Sequence, residues 1–256
     1  MSDMKKKRIV VGNWKMNPPT LAEAKKIFSG IKQLSGSVAG QLVVCPPATY
    51  LYALSSSYKG KKISFGAQDA HWQNNGSMTG YLSPTMAVSA GAKYLIIGHS
   101  ERREMAGETP ELIAKKVLAG IEVQLTVILC IGEKVHDRNA EYLITIKEDL
   151  RACLKKIDKR MMGHVIIAYE PVWTIGAKEA MSPSDIHGMM IYIRKVLTEI
   201  YDKQISDSVQ ILYGGSVNTD NVGDIIKDGE TDGLLVGRDS LVPENIMKIV
   251  AVANGK

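Results

Sequence analysis

Short apolar runs recur along the chain, each followed by a loop and then by an amphipathic stretch. The runs are Ile9–Gly12, Gln41–Cys45, Ile63–Ala67, Tyr94–Gly98, Leu125–Ile131, Val165–Tyr169, Val209–Tyr213 and Gly233–Gly237. They are rich in Val, Ile and Leu and do not alternate with polar residues. Strands with both faces away from water read in this way. Between them the pattern predicts helices over Thr20–Leu34, Thr109–Ile121, Ala140–Ile157, Ser184–Tyr201, Asn218–Lys227 and Glu244–Ala253. Thr109-Pro110 and Ser182-Pro183 set a polar residue before a first-turn proline, which marks a helix start. Ala48–Ser57 and Pro84–Ala90 carry a weaker form of the helical signal.

Eight strands alternating with eight helical segments argue for a parallel sheet, because each parallel crossover needs a helix-length connection. The count points to a closed (β/α)8 barrel, an α/β fold; periodicity alone also admits an open, doubly wound sheet. At 256 residues the chain has the length such a barrel needs, about 250. No Pro/Ser-rich linker or low-complexity segment divides it. One domain is therefore expected over residues 1–256, with residues 1–7 as a flexible basic tail.

Composition narrows the function classes. No apolar stretch reaches the roughly 18 to 20 residues needed to cross a bilayer. The basic N-terminus lacks a small-residue cleavage site, so a cytoplasmic protein without a membrane partner is expected. Three cysteines, Cys45, Cys130 and Cys153, are widely separated and offer neither a disulfide framework nor zinc-ligand spacing. Buried free thiols and no metal are expected. The net charge of +5 comes partly from Lys5, Lys6, Lys7 and Arg8, and a modest positive field suits an anionic substrate. RNA-binding aromatic signatures and zinc fingers are missing from the sequence, which sets nucleic acid aside as a partner.

The chemistry-bearing residues fall at one kind of position. Asn13 and Lys15 follow the first apolar run; His99, Ser100 and Glu101 follow the fourth. The fifth leads into Glu133, the sixth into Glu170, the seventh into Gly214-Gly215-Ser216 and the eighth into Gly237-Arg238. In a (β/α)8 barrel these C-terminal strand ends share one face, where active sites of the fold lie. Glu170, after Val165–Tyr169 and before Pro171, is partly desolvated there and suits a general base; pairing with a nearby Lys or Arg is the alternative. A helix beginning at His99 would aim its dipole at the imidazole and favour the neutral ring, a donor to a carbonyl oxygen; a structural histidine is the alternative. Lys15 could polarise a substrate, pair with Glu101, or do both. Gly214-Gly215-Ser216 and Gly237-Arg238 occupy the two loops where the fold often binds phosphate through backbone N–H groups, or they are tight turns. No Gly-x-Gly-x-x-Gly or Walker-type motif is present, so no nucleotide cofactor is expected.

Taken together, Asn13-Trp14-Lys15-Met16-Asn17, Gly98-His99-Ser100-Glu101-Arg102-Arg103, Cys130-Ile131-Gly132-Glu133, Ala168-Tyr169-Glu170-Pro171-Val172-Trp173 and Tyr213-Gly214-Gly215-Ser216-Val217 resemble the triosephosphate isomerase family in order and spacing. The resemblance runs from about residue 8 to residue 253. It implies a cofactor-free interconversion of dihydroxyacetone phosphate and D-glyceraldehyde 3-phosphate through an enediol intermediate. By that resemblance Glu170 moves the proton, neutral His99 serves the two oxygens, Lys15 and Asn13 stabilise the oxyanion, and Glu101 holds the Lys15 ammonium. It further implies a lid over Pro171–Pro183, including Pro171, Val172, Trp173, Thr174, Ile175, Ala177 and Lys178. Glu133 and Tyr213 would hold that lid, while the Gly176 N–H would join those of Ser216, Gly237 and Arg238 around the phosphate. Asn75–Gly80 resembles the family's dimer loop, with Thr79 reaching into the partner, so a homodimer is implied. The chain departs from the common pattern at Lys178 and Arg238, where glycine is usual, at Asp239, and at Tyr81, where glutamate is usual. Two other readings compete. A Schiff-base aldolase would want a lysine inside the middle strands, and the third to sixth apolar runs hold none. A phosphate-binding barrel without catalysis is the other.

Overall fold

In a computed structural model, which describes residues 8–174 and 180–255, each apolar run forms a strand. The strands are β1 (Ile9–Asn13), β2 (Gln41–Cys45), β3 (Ile63–Ala67), β4 (Tyr94–Ile97), β5 (Thr126–Ile131), β6 (Val165–Tyr169), β7 (Gln210–Tyr213) and β8 (Gly233–Val236). Each pairs in parallel with its neighbours in chain order. β8 pairs with β1, from Ile9 opposite Gly233 to Gly12 opposite Val236, so the sheet is closed and the open alternative is excluded.

Successive side chains of a strand point to opposite faces. Ile9, Val11, Val43, Ile96, Ile128, Ile166, Leu212 and Leu235 belong to one buried cluster that contains no helix residue and fills the barrel interior. Their neighbours Val10, Leu42, Leu95, Leu129, Ile167, Ile211 and Leu234 belong to a second cluster shared with the helices. Both alternating sets are dry, which is the physical reason the runs show no polar alternation.

The helical layer comprises α1 (Leu21–Leu34), α2 (Ala48–Ser56), α3 (Pro84–Ser89), α4 (Ser100–Met105) and α5 (Pro110–Glu122). It continues with α6 (Glu141–Leu154), α7 (Pro183–Ile200), α8 (Lys203–Ser208), α9 (Val222–Lys227) and α10 (Pro243–Ala253). Thr20, Ser83, Thr109 and Ser182 each accept a backbone N–H of the first turn, a cap contributing about 1 kcal/mol. Two expectations change. α9 starts at Val222 rather than Asn218, because Asn218 Oδ1 accepts the N–H groups of Asp220 and Asn221 and holds a turn there. α8, which the pattern does not predict, is capped by Asp202, whose carboxylate accepts the Ile205 N–H at 2.9 Å. All three cysteines are buried free thiols, as expected. No helix among the described residues is long and apolar enough to cross a membrane. The expected basic tail, residues 1–7, lies outside the described residues.

A charged cluster joins α4 and α5 to the loop after β3. Lys116 of α5, with its side chain 2% exposed, donates to Asp69 at 2.8 and 2.9 Å and to Glu108 at 2.6 Å. Arg102 of α4 reaches the same two carboxylates at 3.0 and 2.8 Å. Burial pushes the Asp69 carboxyl up. At Glu108 burial pushes the same way but is outweighed by Lys116 and Arg102, which hold its carboxyl below the ordinary range. Replacing Lys116 with Met leaves the two carboxylates with the half-buried Arg102 as their one cation in this cluster. We expect a loss of about 3–5 kcal/mol in urea denaturation, the scale for breaking a buried pair; an unchanged midpoint would show that the cluster contributes nothing.

Candidate active site

Strand parity sets the inner wall of the site. Ile9 and Val11 face the barrel interior, and Asn13, next in phase, is buried at its mouth. Ile166 and Ala168 face inward on β6, and Glu170 continues their phase, 3% exposed. After β4 the chain turns at Gly98, with φ +73, where a Cβ would crowd Arg103, Ile113 and the Cys130 carbonyl at 3.2–3.3 Å. That turn delivers His99 as the N-cap of α4, its Nδ1 accepting the Glu101 N–H at 3.3 Å. A nitrogen that accepts carries no proton, so the neutral ring bears its hydrogen on Nε2. Nε2 lies 3.3 Å from Glu170 Oε1, while Glu170 Oε2 is buried and has no hydrogen-bond partner among the described residues.

Lys15 stands in left-handed backbone, φ +53, a conformation costing roughly 1–2 kcal/mol for a residue with a Cβ. Polar side chains hold it there. Asn13 Oδ1 accepts the Lys15 N–H at 3.0 Å, and Gln68 Nε2 donates to the carbonyls of Lys15 and Cys45 at 2.9 and 2.8 Å. The Lys15 ammonium donates to Glu101 at 2.6 Å and also lines the cavity, so the two sequence readings of this residue are compatible. Sequence reasoning passed over Gln68. Its signal is the one the other site residues share, a polar side chain just past the C-terminal end of a strand.

The cavity has a volume of about 580 Å³. Asn13, Lys15, His99 and Glu170 line it together with Ser216, Gly237, Arg238 and Asp239, so residues from five strand ends meet in one place. Arg238 opens a helical turn, Arg238–Leu241, and is not among the residues with positive φ, so the substitution costs no backbone strain. The Asp239 carboxylate is held by Asn245, whose Nδ2 donates at 2.6 Å. Ser216 Oγ donates to the Thr174 carbonyl at 2.6 Å, and Asn221 Nδ2 donates to the Ser216 carbonyl at 2.8 Å. Gly176, Ile175, Ala177 and Lys178 lie outside the described residues. Thr79 is exposed and does not line the cavity.

The chain after Glu170 is tied down at several points. The Glu170 N–H donates to the Ile131 carbonyl at 2.8 Å and the Val172 N–H to the Glu133 carbonyl at 2.9 Å. A Cβ at Gly132 would run into the Glu170 carbonyl. Trp173 Nε1 and the Tyr169 hydroxyl donate to Glu133 Oε1 at 2.8 and 2.9 Å. Further along, the Met181 N–H donates to the Tyr213 hydroxyl at 3.4 Å. Burial pushes Tyr213 up to about 12, and burial with the Glu133 charge pushes Tyr169 up, so both remain phenols. Burial and then the nearby Glu170 carboxylate push the Cys130 thiol up, which leaves it inert as a nucleophile. Arg103, quoted above only as part of a motif, ties two strand ends together. It donates to the Gly98 carbonyl at 2.6 Å, the Cys130 carbonyl at 2.8 Å and Asp149 at 2.8 Å.

A family model described as "Triosephosphate isomerase" matches residues 8–253. Among curated proteins, the chain is similar to triosephosphate isomerase of Roseiflexus sp. (strain RS-1), 40% identical over 244 residues, covering 94% of this chain and 96% of that one. The protein of the same name from Dictyoglomus turgidum is 38% identical over 249 residues, covering 96% and 99%. That from Alkaliphilus metalliredigens is 38% identical over 246 residues, with the same coverage.

The geometry around Arg103 makes one prediction. A lysine there cannot reach both strand-end carbonyls and Asp149, so Arg103→Lys is expected to cost about 1–3 kcal/mol in chemical denaturation, the scale for stranded buried polar groups. A wild-type midpoint would mean that the two strand ends do not need the guanidinium.

Proposed function

Since the chain belongs to the triosephosphate isomerase family and interconverts dihydroxyacetone phosphate and D-glyceraldehyde 3-phosphate, we propose that Glu170 is its proton-transferring base and His99 its neutral electrophile. The observation that carries this assignment is the pairing of a buried, unpartnered Glu170 Oε2 with a His99 ring whose Nδ1 is occupied and whose Nε2 faces the same cavity.

With dihydroxyacetone phosphate bound, Glu170 takes a proton from the hydroxymethyl carbon. The C–H electron pair becomes the enediolate double bond, and the carbonyl pair moves onto oxygen. The Nε2–H of His99 and the Lys15 ammonium donate to that oxygen as its charge grows, a stabilisation that is strongest in a cavity shielded from water. His99 exchanges a proton with the two oxygens in turn, and Glu170 returns its proton to the neighbouring carbon. No electron leaves the substrate, so the balance calls for no redox cofactor. Glu170 is nearly dry and need not shed water before it accepts the proton. Glu101 keeps the Lys15 ammonium in place at 2.6 Å, and Asn13 supports the strained Lys15 backbone.

The backbone N–H groups of Ser216, Gly237 and Arg238 take the phosphate, with the start of the Arg238–Leu241 turn adding its dipole. Pro171, Val172, Trp173 and Thr174 form the described stem of the lid that the family resemblance assigns, and its tip, with Gly176, is assigned on that ground alone. A homodimer completes the reading. Thr79 is exposed in its loop, and Met16, Tyr81 and Met86 are also exposed, apolar surface suited to a second copy. Where the resemblance leads one to expect a glutamate, Tyr81 packs edge-on against His71 at 5.0 Å. A cytoplasmic location goes with the same metabolic role.

The direct test mixes purified protein with glyceraldehyde 3-phosphate, without added metal or nucleotide, and follows dihydroxyacetone phosphate. Glu170→Asp retracts the carboxylate by one methylene and is expected to lower kcat by about a hundredfold or more while KM changes little; wild-type turnover would remove Glu170 as the base. Thr79→Arg is expected to give monomers in analytical ultracentrifugation together with reduced kcat. A fully active monomer would refute the assignment of Thr79 to a functional dimer contact.

A further inference from the structure

Glu133 Oε1 has three side chains around it, two from the segment that flanks Glu170 and one from its own loop. Trp173 Nε1 donates at 2.8 Å, the Tyr169 hydroxyl at 2.9 Å, and His136 Nδ1 stands at 3.2 Å. The second oxygen, Oε2, is buried without a hydrogen-bond partner among the described residues. Through Trp173 and through its own carbonyl, which takes the Val172 N–H, Glu133 fixes the turn that begins directly after Glu170.

Of the three donor types, an imidazole alone can gain a proton and with it a positive charge. The His136 side chain is 30% exposed, and its ring stacks on Tyr142 of α6 at 3.9 Å and 29°. The Trp173 ring lies 5.4 Å away, tilted by 47°. Beside a carboxylate oxygen, Nδ1 must carry a hydrogen whether the ring is neutral or charged. The groups facing it are Glu133 on its own loop, Tyr142 on α6, and Tyr169 on β6 across Glu133, with Asp185 of α7 acting on Tyr142. Asp137 is engaged elsewhere, its two oxygens accepting the N–H groups of Glu141 and Tyr142 at 3.0 Å each. Glu133 is thus the carboxylate that an imidazolium at this position meets.

We propose that His136 is a positioning residue for the isomerisation: it clamps Glu133, and through it the Val172–Trp173 turn behind the base, and the clamp tightens as the ring takes up a proton. Protonation turns a hydrogen bond from a neutral donor to the Glu133 carboxylate into an ion pair with both partners charged, which is stronger. The clamp is therefore stronger with the ring protonated than with the ring neutral. The proposal rests on Glu170 being the base, because the turn matters to turnover only through that residue.

The test reads the emission of Trp173, obtained as the difference between the wild type and W173F, together with isomerase kinetics of H136L and H136N. An imidazolium beside the indole quenches it. Wild-type Trp173 emission is expected to fall as pH drops from about 8 to 5, and H136L and H136N should each lose that step. H136L, which lacks the donor, should lose about three- to tenfold in kcat with a smaller change in KM. H136N keeps an N–H donor near the place of Nδ1 and should retain most of the turnover. Wild-type kcat in H136L, or a flat pH profile of Trp173 in the wild type, overturns the proposal; the second readout needs no folded variant at position 136. The emission step is measured without substrate, so it fails only if the clamp fails. A wrong assignment of Glu170 shows instead in the turnover of Glu170→Asp and leaves the step in place.

Discussion

Closure of the sheet through the β1–β8 pairing is the constraint from which the rest follows. With no free edge and helices around the outside, each strand has one face in a packed interior and the other under the helical layer. Neither face can hold an unpaired polar group cheaply, so polar side chains are driven to the strand ends. Because all strands run the same way, their C-terminal ends open on one side, and the polar ends of the first, fourth, sixth, seventh and eighth strands converge there. The cavity is a consequence of strand direction and of the two-residue period.

Local devices then convert convergence into geometry. Asn13 and Glu170 need only continue the inward phase of their strands. Lys15 and His99 need a break in regular backbone, the left-handed turn at Lys15 and the positive-φ turn at Gly98. Such turns persist only where neighbours over-determine them. Asn13 and Gln68 do so for Lys15, and Arg103 does so for the chain at Gly98 by binding its carbonyl. Capping of α4 by His99 serves structure and chemistry together. One hydrogen bond to Nδ1 satisfies an orphan backbone N–H of the helix and selects the tautomer whose proton faces the cavity.

Buried carboxylate oxygens without partners occur at Glu108, Glu133 and Glu170. These are the costliest groups to leave unpaired, and they sit in the Lys116 cluster, at the anchor of the turn after Glu170, and at Glu170 itself, the proposed base. At Glu108 two cations compensate. Glu133 gathers its donors on the other oxygen. For Glu170 the open acceptor suits the proposed role, since a base saturated with hydrogen bonds could not take a proton from carbon. A substrate C–H brought to this oxygen meets an acceptor already aimed and already dehydrated.

Strand order, the dry character of both strand faces, the helix starts at Thr109 and Ser182, and the polar residues at strand ends were all legible in the sequence, because each depends on the identity of residues close in the chain. Five motifs in fixed order carried the family and, with it, the pairing of Glu170 with His99. Periodicity alone left the choice between a closed barrel and an open sheet, since hydrogen bonding between β1 and β8 joins residues more than 200 positions apart. For the same reason Gln68 and Arg103 were silent: a glutamine and an arginine in a loop or a short helix carry no periodic signal, and each acquires its role from carbonyls distant in sequence. His136 meets a carboxylate only three residues away, but its place beside Trp173 depends on a segment distant in sequence. Tertiary structure also decided that Asp239 is held by Asn245 and that Arg238 keeps ordinary backbone, because a side chain's partner and a residue's φ are set by what packs around them. Residue types at strand ends thus determined which chemistry the chain could perform, and closure of the barrel decided which of those groups would meet.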